Sequence, residues 1–593
     1  MKFRNLRNWS SPQELEGLVF FAQLLEELLF DYSLDTYKPS AMNTSTLCSE
    51  ARQLIRDIET EVLDVANLKH VLKELVTNLN QDEVAQALIP PALKDLGSRL
   101  DNEAITLREK RVLLEILASH ITLDKYKSEN ERQLAQAVVD GNGKKRIRAL
   151  ARTYVTTLLS MGYSSEYLYP TSRQFFFMGR TKITSHEDIL RFFGYFPGNN
   201  EQYRAIFRVS DLFSEIAESC SAFEMTISGN ASDDLSAIVE ERDFLLDQGE
   251  TYLTIDHLHA MDVHAARTEA EKRVEMASTL MSLFHHKQVA KWRSPAILIN
   301  LRTNKARLVK EPTNPMLKCA DLRTSRAAEK LNSFLEKFTL EERKSFDRFF
   351  RSAELHGLAL RNDEAESQLL NLWVALETLT PSKAGGGQAK INVIKNALLP
   401  FLSISYVPRL VDCLRRDMFF WNPRESGRAL RGVEGGSETE KVFLLLVSPN
   451  HEDARQRLLE RFGDFYLLRN RFHYLMTVLA TPKKAAAVLE AHWQRVEWQL
   501  RRIYRARNTI VHAGVTPSYI DILIKNLHDY IDITTNTIIG LASDGDKINT
   551  IDQAFEYVAI AAHSQLNELR KCTGPDWAAE ADALFASHNQ LAL

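Results

Sequence analysis

Apolar residues recur at three- and four-residue intervals over most of this chain, a pattern that predicts successive amphipathic helices. Pro12–Tyr32, Leu47–Asn67 and Leu107–Tyr126 read this way near the start. The run Asp140-Gly141-Asn142-Gly143-Lys144-Lys145 breaks the pattern. Tyr163–Gly198, rich in Phe, Tyr and Gly, is less regular and has room for short strands that the pattern does not place. From Thr324 onward helices return, at Ser325–Lys337, Leu340–Leu360, Glu364–Leu379, Ala389–Leu402, His451–Leu468, Lys483–His512 and Ser518–Ile539. Gly435-Gly436-Ser437 reads as a loop, and residues 405–480 as an insertion.

One region follows a different period. Thr251-Tyr252-Leu253-Thr254-Ile255 alternates as a strand does, and Asp262–His286 reads as a helix. Ala296–Leu301 and Ala306–Val309 form a predicted hairpin around Thr303-Asn304. The expected class is therefore mainly α, a multi-domain helical protein with a small α+β segment at about 250–312, ending near Pro312–Pro315. The expected divisions are 1–160 (N-terminal helical region), 161–320 (mixed α+β, with a sensing or regulatory part), 340–545 (a C-terminal helical bundle) and 546–593 (a helical tail).

At 593 residues the chain exceeds what one hydrophobic core supports. With 45% apolar and 26% charged residues its composition is that of ordinary globular protein. Its most apolar candidate, Gly17–Leu29, is interrupted by Gln23, Glu26 and Glu27, far short of the ~18 uninterrupted apolar residues of a membrane span. The N-terminus shows no signal-peptide pattern, so a cytoplasmic location without membrane association is expected. Five cysteines stand singly, with no metal-ligand spacing. A net charge of -4 argues against non-specific coating of nucleic acid, and leaves a local basic site open.

Such a site is expected on Lys483–His512. Leu489, Trp493, Val496, Leu500, Ile503 and Ile510 step by fours and threes along one seam, and the missing member is Arg507. An arginine on an apolar seam must snorkel, pair with an acid or reach a site, because unpaired burial costs several kcal/mol. The expected recipient is Glu377, which falls on the apolar stripe of Leu370, Trp373 and Val374. Such a pair fixes helix register even where it does no chemistry. Asn508 and His512 share a helix face, Gly514 is placed to close the helix in a left-handed cap, and Pro517 stops continuation. Arg507 and His512 lie five apart, about 140° around the helix. A second copy packed about a twofold axis would bring two Arg and two His together, so a homodimeric site is expected. Arg495, Arg501, Arg502, Arg505 and Arg507 fall within thirteen residues, a cluster suited to phosphodiester oxygens, with Tyr504 available to stack on a base. The bland alternatives are a solvated arginine face and a core tyrosine.

In these residues the chain resembles the HEPN superfamily, specifically its Apea-like branch in bacterial antiphage defence. The likeness lies in Leu372–Leu379, in the loop and helix of Ser382–Leu399, and in Ile503–Gly514, where Arg507, Asn508 and His512 match the family's Arg-polar-His signature. It covers residues 340–545; the interval from Glu377 to Arg507 is longer than usual, and residues 1–320 carry no resemblance. The resemblance implies an endoribonuclease with no metal and no cofactor. In it the 2′-hydroxyl attacks phosphorus, His512 transfers protons, Arg507 stabilises the transition state, Asn508 orients, Glu377 supports, and Arg501, Arg505 and Tyr504 contact RNA. It implies an abortive-infection effector answering a phage-derived trigger, a silent RNA-binding or scaffold module of a defence complex, or a toxin restrained by a nucleotidyltransferase antitoxin.

Other constellations weigh less. Leu468–His473 also holds Arg-Asn and His, one residue closer and without a glycine cap. Asp256, His257, His259, Asp262, His264, His285 and His286 lack a firm ligand spacing. Gly385-Gly386-Gly387-Gln388 lacks the rest of a phosphate-binding loop.

Overall fold

The computed structural model describes residues 3–30, 42–61, 63–141, 143–231, 233–318, 322–338, 340, 342–381, 390–543, 548–572, 577 and 584–585. It is 68% helical, with 26 α-helices and one five-stranded antiparallel sheet among the described residues, so the class is mainly α. No single helix among the described residues is long and apolar enough to cross a membrane. The glycine loop at 385–388 and most of the tail beyond 572 lie outside the described residues.

The chain divides into two compact units, Tyr154–Thr313 and a second made of Met1–Thr153 with Asn314–Leu593. The N-terminal helices thus belong with the C-terminal half, where separate regions at 1–160 and 340–545 were expected. A long interruption in sequence is bridged by direct contact. Gln23 on the Glu16–Leu29 helix accepts from the Leu467 backbone N–H at 2.9 Å and donates to the Asp464 carbonyl at 2.8 Å. The helix Ile551–Lys571 also belongs to this body, because its Ala554, Phe555 and Val558 pack on Leu379, Phe401 and Ile538.

The smaller unit carries the sheet, in the order β2-β3-β1-β4-β5: β1 Glu201–Ser210, β2 Met225–Ser228, β3 Glu250–Ala260, β4 Trp292–Asn300 and β5 Lys305–Val309. Two of these strands precede the segment expected at 250–312. In β1, Tyr203, Ala205, Phe207 and Val209 alternate toward the Val263–Ser282 helix, whose Ala266, Ala270, Val274 and Ala277 let it lie close. The opposite face, with Ile206, Ile297 and Ile299, packs against Leu235, Val239 and Phe244. The predicted β4–β5 hairpin forms. Asn300 Oδ1 accepts from the backbone N–H groups of Arg302 and Thr303, and Asn304 takes φ 51°. Tyr163–Gly198 holds no strand among its described residues and folds instead as helices with an aromatic core around Phe176, Phe192 and Phe196.

In the larger unit, residues 405–480 are helical, as Tyr406–Trp421, Pro423–Ala429, Glu438–Val447, Glu452–Arg461 and Tyr466–Val478. The main core joins the Ala365–Leu379, Lys390–Ile404, Pro482–Ala513 and Ile520–Ser543 helices. Leu372, Trp373 and Leu376 meet Val496, Leu500, Ile503 and Ile510, with Leu523, Ile524 and Leu527 opposite. The seam read from the sequence is therefore an interior surface, with Trp493 half-buried at its edge.

Candidate functional site

The Pro482–Ala513 helix opens on a Thr481 side-chain cap with Pro482 in its first turn, and closes at Gly514. Gly514 adopts the left-handed conformation at φ 61°, and its N–H donates to the Ile510 carbonyl at 3.1 Å. This ending fixes where His512 stands: in the last turn, exposed to solvent.

Arg507 is half-buried one and a half turns earlier. Its guanidinium donates to Asn508 Oδ1 at 3.0 Å, while its Nε is buried with no hydrogen-bond partner. Glu377 does not receive it. The Glu377 carboxylate accepts from Trp373 Nε1 at 2.6 Å and from Lys390 Nζ at 2.8 Å. The reason is local geometry: Trp373 lies one turn back on the same helix, and Lys390 begins the next helix and supplies the opposite charge. The two helices do meet at this level, but through rings, with Trp373 and Tyr504 at 5.6 Å between centroids. Tyr504 is thus a packing residue of the core rather than a platform for a base.

The arginine cluster turns inward. Arg501 is 8% exposed, bonded to Glu497 and to Asn392 Oδ1 at 3.0 Å. Arg502 reaches Glu74 at 2.6 Å and Glu50 at 3.3 Å, and Arg505 reaches Glu50 at 2.8 Å. These acids come from the Thr44–Glu59 and Ala66–Leu79 helices. Burial alone would raise the Glu50 carboxyl, but Arg502 and then Arg505 overcome it and hold it down to about 2. Burial, with Arg501 next, lowers His70 to about 4. Arg495 donates to the Tyr406 hydroxyl at 3.1 Å. The expected RNA contacts Arg501 and Arg505 are therefore internal ties, since a buried guanidinium in a charge-balanced network has no face left for phosphate.

The other constellations are structural too. In Leu468–His473, Arg469 pairs with Glu16 at 2.6 Å, and the fully buried Arg471 bridges Glu27 and Asp417. Asp262 caps the Val263–Ser282 helix and accepts from Ser164 N at 2.7 Å and Oγ at 2.8 Å, and Asp256 pairs with Arg204. What remains at the end of the long helix is one guanidinium without a carboxylate partner among the described residues, an amide that orients it, and an open imidazole five positions on. Such a set can hold an anion and move a proton.

Comparison with protein-family models, with curated proteins and with solved structures finds no match.

Proposed function

We propose that this protein is a metal-independent endoribonuclease of HEPN type, acting in the cytoplasm as an effector of bacterial antiphage defence, with His512, Arg507 and Asn508 as its reactive set. The observation that carries the reading is the charge state of one helix. Arg501, Arg502 and Arg505 are matched by carboxylates or amides of the chain, whereas Arg507 has, among the described residues, only the neutral Asn508. A half-buried cation with a buried, unpartnered Nε is a waiting anion site.

In the reaction, the 2′-hydroxyl of RNA loses its proton to an imidazole and its oxygen attacks the adjacent phosphorus. The bond to the 5′-oxygen breaks, that oxygen takes up a proton, and a 2′,3′-cyclic phosphate remains. His512 acts as base or acid, and Arg507 stabilises the charge that builds on the non-bridging oxygens. Two proton transfers favour two imidazoles, hence a homodimer. The exposed Val511 and Val515, at 48% and 57%, flank His512 and offer apolar surface for a second copy. Control by a phage-derived trigger or an antitoxin belongs to the same reading.

The inward turn of Arg501 and Arg505 favours one rival, a silent scaffold or RNA-binding module, because it removes the expected phosphate contacts. Cleavage decides between them. The purified chain is incubated with tRNA and mRNA in EDTA, and the products are analysed for 2′,3′-cyclic phosphate ends. The expected result is cleavage lost in both His512→Ala and Arg507→Ala. Undiminished cleavage by the two variants removes the site, and no cleavage by the wild-type chain under any trigger leaves the scaffold.

A further inference from the structure

A second set of chemistry-bearing side chains lies on two other helices of the larger unit. His356 comes from the Arg343–Arg361 helix, and His528 and Asp532 from the Ile520–Ser543 helix. The last two are four residues apart, so they project from one face of their helix. The imidazoles of His356 and His528 stack at 4.8 Å between centroids, with 24° between their planes. Both turn Nε2 toward the same carboxylate. His356 Nε2 lies 3.8 Å from Asp532 Oδ1, and His528 Nε2 lies 3.7 Å from Asp532 Oδ2. One donor atom from each of the three falls within 4.8 Å of the others.

We propose that His356, His528 and Asp532 bind one divalent transition-metal ion, of which Zn2+ fits best. Donors arranged around zinc at roughly 2.0–2.2 Å stand about 3.3 Å apart, so small side-chain rotations close the observed cluster onto an ion. The set of two imidazoles and one carboxylate has the softness of a zinc site rather than of a calcium or magnesium site, which takes oxygen donors.

Two features distinguish it from an ordinary ion pair. At 3.7 and 3.8 Å neither imidazole hydrogen-bonds the carboxylate, so the carboxylate between them is close without being bonded. His356 Nε2 is buried and has no hydrogen-bond partner, and as an unprotonated nitrogen its lone pair would be satisfied by a metal. Access is open from one side: the Asp532 side chain is 42% exposed and His356 23%, against 6% for His528. Three protein donors with one open side leave a fourth position for water. The ion would tie the Arg343–Arg361 helix to the Ile520–Ser543 helix.

The test uses the full chain, stripped with a chelator, desalted and checked for its helical signal by far-UV circular dichroism. Zn2+ alone is then added and bound metal is counted per chain, with Co2+ as a spectroscopic reporter of a four-coordinate site. Expected is one ion per wild-type chain, with the intense visible bands of tetrahedral Co2+. Affinity should fall, in both His356→Ala and Asp532→Asn, by more than the roughly 10–100-fold that loss of a supporting residue costs a metal site. Asp532→Asn is nearly isosteric, so the proposal remains falsifiable through it if His356→Ala unfolds. The proposal is overturned if the folded wild-type chain takes up neither ion, or if either folded variant keeps wild-type affinity. RNA cleavage enters neither outcome.

Discussion

Replacing Glu50 by Gln should destabilise the larger unit by about 3–5 kcal/mol, the range for breaking a buried ion pair from one side. Glu50 is the shared counter-ion of Arg502 and Arg505, whose side chains are only 3% and 8% exposed. Arg502 retains Glu74 after the change, but Arg505 has no other carboxylate among the described residues and stays buried as an unmatched cation. The carboxyl's position gives a second route to the magnitude: held at about 2 rather than at its ordinary 4.5, it corresponds to about 3 kcal/mol of stability. Because the folded carboxyl titrates below the unfolded one, that contribution is complete above about pH 4.5 and is lost as pH falls toward 2. Urea unfolding followed by circular dichroism should therefore show a large gap between wild type and Glu50→Gln at pH 7, narrowing as the pH drops through this window. A shift at pH 7 worth less than about 1 kcal/mol, the range of a surface pair, would refute the network as a structural tie. So would a gap that does not change with pH.

Gly17→Ala should destabilise by about 1–3 kcal/mol or more in the same urea assay, since a Cβ there meets the Val138 carbonyl oxygen at 2.2 Å, a backbone atom that cannot rotate away; the gain in helix propensity, about 1 kcal/mol, is smaller. Gly514→Ala should cost roughly 1–2 kcal/mol through its φ of 61° alone, because nothing lies within 4 Å of the added carbon; a neutral or stabilising result in thermal melts would show that the cap is not left-handed in solution. Arg507→Lys should leave stability within about 0.5 kcal/mol, there being no ion pair to break among the described residues, yet slow RNA cleavage roughly 10²–10³-fold through loss of the forked donor.

The apolar seam of the long helix was legible because it repeats over successive turns on one face, and Leu489, Val496, Leu500, Ile503 and Ile510 are all buried. The β1 strand also carries a period-two signal, in Tyr203, Ala205, Phe207 and Val209, and was not among the expected strands; Arg204 and Arg208 lie between those positions. The structure gives those arginines Asp256 and the Leu245 carbonyl as partners. The true partner of Glu377 was within reach of the sequence, since Trp373 stands four residues before it and a buried indole N–H needs an acceptor. The destination of the arginine cluster was not. Arg502 meets Glu74 and Glu50 across 428 and 452 residues, and no local pattern encodes a pairing at that separation. The same limit hid the metal candidate: His528 and Asp532 are visible as a four-residue step, while His356 joins them only through the fold.

The cluster shows why like charge on a helix is weak evidence for a polyanion. Five arginines in thirteen residues look like a phosphate surface when the rest of the chain is ignored, because the local sum of charge is all that a sequence window reports. Folding replaces that sum with a pairwise match. Each guanidinium taken from water must be compensated, and a protein that brings its own acidic helices alongside compensates from within. The useful quantity is then the remainder after internal pairs are removed. Among Arg501, Arg502, Arg505 and Arg507 the remainder is Arg507, held by an amide with no carboxylate partner among the described residues, with His512 exposed one and a half turns on. If RNA is the ligand, its affinity must rest on few phosphate contacts, and the salt dependence of binding should be shallow, a slope near roughly one or two rather than five. A steep slope would place the RNA on some other face of the protein.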